Sequence, residues 1–124
     1  MDSKQHRVMV IDDSKTIRTT TEGYLRELGH EVMCCTDGFN GISHMISFQP
    51  EILFIDVEMP RMNGLETARL IRANVQFKST PIVMLSSKDG MFDMALANAA
   101  GANDYIVKPP VKDAIAAVIT KHLG

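Results

Sequence analysis

The stretch Val8-Met9-Val10-Ile11-Asp12-Asp13 decides how the rest of the chain reads: an unbroken apolar run that stops at two adjacent acids. A short strand that is apolar on both faces belongs in a parallel sheet covered by helices on each side. The next segment is helical. Ser14 stands where an N-cap belongs, Ile17, Tyr24, Leu25 and Leu28 recur at helical spacing, and Gly29 follows where a helix ends. The alternation repeats: Val32 to Cys35 precedes Ile42, Met45 and Ile46, and Ile52 to Ile55 precedes Leu65, Ala68 and Ile71. Asn63 and Glu66 have the spacing of a capping box for that third helix. Pro81 opens Ile82-Val83-Met84-Leu85, and a helix-like segment with Phe92, Ala95, Leu96 and Ala99 comes next. Tyr105-Ile106-Val107 is a fifth strand, and Val111, Ile115, Val118 and Ile119 mark a last amphipathic helix. Five strands alternating with five helices predict an α/β fold, a doubly wound parallel sheet with right-handed crossovers.

Composition narrows the function classes. The chain has 124 residues, 45% hydrophobic and 23% charged, with a net charge of −2. That length buries a core without disulfides or a structural metal. A single domain over 1–124 is expected, with no output domain, since no linker, repeat or low-complexity segment interrupts the pattern. The slightly acidic balance argues against sequence-independent nucleic-acid binding, which needs surplus Lys and Arg. Cys34 and Cys35 are adjacent, with no second pair for a disulfide framework, and read as reduced thiols of a cytoplasmic protein. Met1 to Arg7 is polar, and no run approaches the roughly 18 apolar residues of a membrane span, so membrane insertion is not expected. His6, His30, His44 and His122 are scattered, form no zinc motif, and read as surface residues. The nine methionines show no cluster spacing and read as filler of the core and of a partner surface.

In an open parallel sheet the ligand site forms beyond the carboxyl ends of the strands. The first strand ends at Asp12-Asp13, the third at Asp56, the fourth at Ser86-Ser87 and the fifth at Lys108. Three clustered carboxylates repel unless a cation holds them, and an all-oxygen set suits a hard ion such as Mg²⁺. Positions left open on Mg²⁺ usually go to phosphate oxygens, and a carboxylate can attack phosphorus to give an aspartyl phosphate. Asp56, alone at its strand end and followed by a turn, is the candidate nucleophile, while Asp12 and Asp13 build the metal site. Lys108 and Ser86 can hold the remaining phosphoryl oxygens.

At these residues the sequence resembles the receiver domain of two-component response regulators, the CheY-like family, over nearly its whole length. The matching pieces are Val10 to Ser14, Ile55 to Gly64, Pro81 to Ser86 and Gly101 to Pro109. The resemblance implies a flavodoxin-like strand order of 2-1-3-4-5 and a phosphorelay protein that works as a signalling switch. It would be no enzyme in the usual sense, although it promotes its own phosphorylation and dephosphorylation. Asp56 would take a phosphoryl group from a histidine kinase of the CheA type. Mg²⁺ would be held by Asp12, Asp13, Asp56 and the backbone carbonyl of Glu58. Ser86 and Lys108 would report the phosphorylated state, with a cis peptide before Pro109. In the family, Ser86 is drawn toward the phosphoryl group and Tyr105 turns inward, changing the face made by the fourth helix, fifth strand and fifth helix. A protein partner is expected there, near Lys88, Tyr105 and Val111. The stretches Val8 to Arg18, Phe77 to Ser86 and Ser87 to Gly90 are similar to stand-alone regulators of the chemosensory system that controls type IV pili and twitching motility. Flagellar chemotaxis receivers share much of this pattern, and a phosphate sink would look the same.

Some residues depart from the family pattern, and rival readings compete with it. Pro110 stands where an aromatic is common. Glu58 and Lys88 flank the site, and their opposite charges can pair across its mouth and slow hydrolysis. An aspartyl-phosphate phosphatase of doubly wound fold would carry two acids spaced by two on the first strand and a cap region, whereas here the acids are adjacent. A flavin or dinucleotide binder would show Gly-x-Gly-x-x-Gly or a Walker A pattern, and neither occurs. A receiver-like module that no longer takes phosphate would be expected to have lost some of these acids.

Overall fold

The computed structural model describes the backbone of residues 4–87 and 91–124, and all side chains there except those of 91–93. Strands and helices alternate as β1 (Arg7–Ile11), α1 (Lys15–Glu27), β2 (Glu31–Cys35), α2 (Gly38–Phe48), β3 (Ile52–Asp56), α3 (Gly64–Ala73), β4 (Ile82–Ser86), α4 (Met91–Ala99), β5 (Asp104–Val107) and α5 (Lys112–Leu123). A single 3-10 turn, Val75–Phe77, lies between α3 and β4. The sheet is parallel, in the order β2-β1-β3-β4-β5. The alternation is thus the expected doubly wound parallel sheet, and its order is the flavodoxin-like one that the family resemblance implied.

Strand alternation explains why each run is apolar throughout. Met9, Ile11, Leu53, Ile55, Ile82 and Met84 face one layer, with Met45, Ala68 and Ile71 from α2 and α3. Val8, Val10, Phe54, Val83 and Leu85 face the other, with Leu25 from α1 and Ile115, Val118 and Ile119 from α5. Cys34 and Cys35 divide between the two layers for the same reason. Burial, then the Glu22 carboxylate, pushes the Cys34 thiol up to about 12.

Local signals fix the helix ends. The Ser14 Oγ accepts from Ile17 N, Gly29 takes φ +93° just past α1, and Asn63 and Glu66 form a complete capping box on α3. That box holds Gly64 against the end of β3: its N–H donates to Val57 O at 2.9 Å. A side chain on Gly64 would run into the Asp56 carbonyl and come within 2.9 Å of the Met84 side chain.

Three expectations are corrected. His6 and His30 are 7% exposed and are not surface residues. They sit where β1 and β2 begin, with the His6 N–H donating to His30 Nδ1 at 3.1 Å and His6 Nδ1 3.1 Å from Glu51 Oε2. Burial, then the neighbouring His6, pulls the His30 pKa down against the opposing pull of Glu51. Ile46 is 55% exposed, because the inner face of α2 is filled by Gly38, Gly41 and Met45. On α4, Ala97 and Ala100 are buried while Ala95 and Ala99 are exposed. Alanine is too weakly apolar to set the phase of a helix, and the Phe92 side chain lies outside the described residues.

Gly64→Ala should therefore lose on the order of 1–3 kcal/mol in urea denaturation, since backbone, unlike a flexible side chain, cannot give way cheaply. A variant as stable as the parent would contradict this packing.

Candidate functional site

The strand register gathers the site. Ile11 pairs with Ile55, so Asp12 continues β1 just past that pair and Asp56 ends β3; Ser86 pairs with Val107, so Lys108 follows at the end of β5. The Lys108 N–H donates to Ser86 O at 2.7 Å, and the Lys108–Pro109 peptide is cis. The carboxylate oxygens of Asp12, Asp13 and Asp56 lie within 4.8 Å of one another. Asp12 and Asp56 are buried and Asp13 is exposed.

Lys108 Nζ stands between the two buried acids, 2.9 Å from Asp12 Oδ2 and 3.0 Å from Asp56 Oδ1. The Lys108 contact uses only part of the capacity of Asp12 Oδ2, a buried oxygen with no other partner among the described residues. Asp56 Oδ1 also accepts from Glu58 N at 3.1 Å. Burial, helped by the Asp12 charge, lifts the Asp56 carboxyl from 3.8 to about 6 against the pull of Lys108 and the Glu58 N–H. Burial works against the Lys108 ammonium, yet the carboxylates of Asp12 and Asp56 outweigh it and raise its pKa.

Every predicted site residue except Lys88 is described, and Asp12, Asp13, Asp56 and Lys108 come together. Ser86, 1% exposed, ends β4 beside them. The Tyr105 ring packs half-buried on the layer of Met9 and Met84, and its hydroxyl is buried with no hydrogen bond to the described residues. The Glu58 carboxylate accepts from Ser87 Oγ at 3.1 Å. The expected pairing of Glu58 with Lys88 lies outside the described residues. Sequence reasoning missed two ties. Ser14 N donates to Asp12 Oδ1, and Arg18 Nη1 donates to the backbone carbonyl of Asp12, both at 2.8 Å. A backbone donor or acceptor leaves no residue-type signal in a sequence.

Residues 8–120 match the response regulator receiver domain family. The chain belongs to that family. It is similar to protein PilG of Pseudomonas aeruginosa, 45% identical over 94% of this chain and 87% of that protein. It also resembles, at 37% identity over 90% of this chain, a segment making up 16% of the CAI-1 autoinducer sensor kinase/phosphatase CqsS of Vibrio cholerae. The chemotaxis protein CheY4 of Vibrio cholerae superposes with a TM-score of 0.92 at 28% identity, over 97% of this chain and 100% of that one. The resemblance to regulators of the type IV pilus chemosensory system is borne out by the match to PilG. This receiver is a two-component signalling module, and among its described residues no helix is long and apolar enough to cross a membrane.

The raised Asp56 carboxyl links stability to pH. Because its folded pKa lies above 3.8, folding favours the protonated form, so a penalty builds as pH rises from 3.8 to about 6 and then stays constant. In EDTA, Asp56→Asn should be the more stable protein above about pH 6, by on the order of 1–3 kcal/mol, since the shift is already net of the Lys108 attraction. The gain should vanish below about pH 4. Denaturant melts across that range check it, and a gain independent of pH would refute the electrostatic origin.

Proposed function

We propose that Asp56 accepts a phosphoryl group from the phosphohistidine of a CheA-type histidine kinase in a Mg²⁺-dependent reaction. The modified protein then signals by binding another protein, in the chemosensory system that controls type IV pilus twitching motility. The observation that carries this reading is the cluster of three carboxylates at one sheet edge, with the buried Asp56 touched by Lys108. The donor set fits Mg²⁺: its oxygens are hard ligands, and Asp12 Oδ2 is buried with acceptor capacity left over. Asp12, Asp13, Asp56 and the Glu58 carbonyl would hold the ion, which when bound offsets charge on the transferring group.

Asp56 supplies the attacking oxygen. A new P–O bond forms as the P–N bond of the donor breaks, with the electron pair leaving on the imidazole. Lys108, already beside Asp56, offers its ammonium to the incoming oxygens, and Ser86 offers its hydroxyl from the end of β4. The output face is formed by α4, β5 and α5, where Met94, Val107 and Val111 are exposed. Tyr105 lies on β5 within it, and its buried hydroxyl, without a hydrogen bond among the described residues, makes its present position costly to keep. The 45% identity to PilG supports the pilus pathway.

Labelling with radioactive acetyl phosphate in Mg²⁺ tests the chemistry. Incorporation should vanish in Asp56→Asn and in EDTA; label that survives the substitution overturns the assignment. For the pathway, the native chain should restore twitching to a P. aeruginosa strain lacking PilG and Asp56→Asn should not. Equal rescue by both would remove the phosphorelay from the proposal.

The Glu58 carboxylate, held by Ser87 at the mouth of the site, should hinder the approach of hydrolytic water. Glu58→Asn is expected to shorten the phosphoryl half-life several-fold, read by loss of label over time. An unchanged half-life would sink that role.

A further inference from the structure

We propose that Arg18 is a positioning residue for the metal site: it holds the Asp12–Asp13 peptide so that the Asp13 carboxylate joins those of Asp12 and Asp56. The inference rests on reading the three acids as a Mg²⁺ site.

The two adjacent acids are held very differently. Asp12 is fixed at three atoms: its N–H donates to Cys35 O at 3.1 Å, its Oδ1 accepts from Ser14 N, and its carbonyl accepts from Arg18 Nη1. Asp13 is exposed, and among the described residues its carboxylate has no hydrogen bond or ion pair. Its place within 4.8 Å of the other two therefore depends on where its backbone starts.

The peptide group supplies that link. The carbonyl of Asp12 and the N–H and Cα of Asp13 lie in one rigid plane, so a donor that fixes the carbonyl oxygen sets the direction in which Asp13 leaves the strand. Arg18 reaches that oxygen from a firm base, since its own N–H donates to Ser14 O in the first turn of α1, whose N-cap is Ser14. Groups that orient a metal ligand without touching the metal commonly change affinity about 10–100-fold when removed.

Charge predicts the opposite sign. A guanidinium near a divalent ion repels it, so removing the positive charge alone would tighten Mg²⁺ binding. If orientation is the role, removal weakens binding. Calorimetric Mg²⁺ titration of the full chain separates the two, with Arg18→Met keeping the apolar stem of the side chain. Its Kd for Mg²⁺ should rise by about tenfold, and Arg18→Lys, which keeps a donor and the charge, should recover much of the loss. In an Asp13→Asn background, Arg18→Met should have little further effect, because the group it orients no longer carries charge.

A Kd equal to or below that of the parent in Arg18→Met would overturn the proposal, as would the same loss with and without Asp13. A purely structural role would lower the melting temperature and leave the Kd unmoved. Should Arg18→Met fail to fold, Arg18→Lys carries the test, with a smaller loss in the same direction. Failure of the native chain to bind Mg²⁺ would overturn the metal-site reading itself, a result distinct from the others.

Discussion

Lys108 stands between Asp12 and Asp56, and most of what distinguishes this protein from a generic doubly wound domain follows from that contact. Among the described residues its ammonium is the one cation paired with the three clustered carboxylates, and it touches only two of them. Two of those acids are buried, where charge is costly unless compensated. The arrangement exists only because parallel register carries β1, β3 and β5 to nearly one level at their carboxyl ends, and because the Lys108 backbone is held to Ser86 O. An edge where buried carboxylates gather is a local electrostatic cost that the apolar layers on either side of the sheet are large enough to carry.

The opposite end of the sheet is built the other way. His6, His30 and Glu51, at the starts of β1, β2 and β3, join one another and Arg7 by hydrogen bonds and ion pairs, so charge there is matched. Burial tends to raise the Glu51 carboxyl, but Arg7 and His6 outweigh it and hold it low. Nearby, Arg72 donates to the carbonyls of Phe77, Thr80 and Gly101 and to the Asn103 side chain, closing the turns before β4 and β5. Matched charge at the amino ends and unmatched charge at the carboxyl ends divide the molecule into a fixed base and a responsive edge.

Much of this was legible in the residues. Unbroken apolar runs identified all five strands, and the polar residues closing four of them located the site, because the ligand site of an open parallel sheet lies beyond the carboxyl ends of its strands. Caps were legible where they rest on local side-chain chemistry, as at Ser14 and Asn63. What escaped were interactions that depend on backbone atoms or on tertiary neighbours. Isolated histidines look like surface residues until the starts of three strands are seen to meet. Arg18 looks like an exposed helix charge until its carbonyl partner is placed. The strand order itself came from family resemblance, since alternation alone fits several doubly wound orders.

The same geometry constrains how a signal can leave the site. A phosphoryl group on Asp56 would add roughly two negative charges beside the Asp12 and Asp13 carboxylates, so nearby donors would be drawn toward it. Under the proposed function Ser86 is the donor whose movement matters most, because it belongs to the interior strand β4, whereas Lys108 lies just beyond the sheet-edge strand β5. Tyr105 pairs in register with Met84, two residues before Ser86 on β4. A shift at Ser86 would therefore be felt along one short ladder by a side chain whose hydroxyl is buried without a partner among the described residues. A group in that condition gives up little by moving, which suits Tyr105 to link the acids to the face formed by α4, β5 and α5.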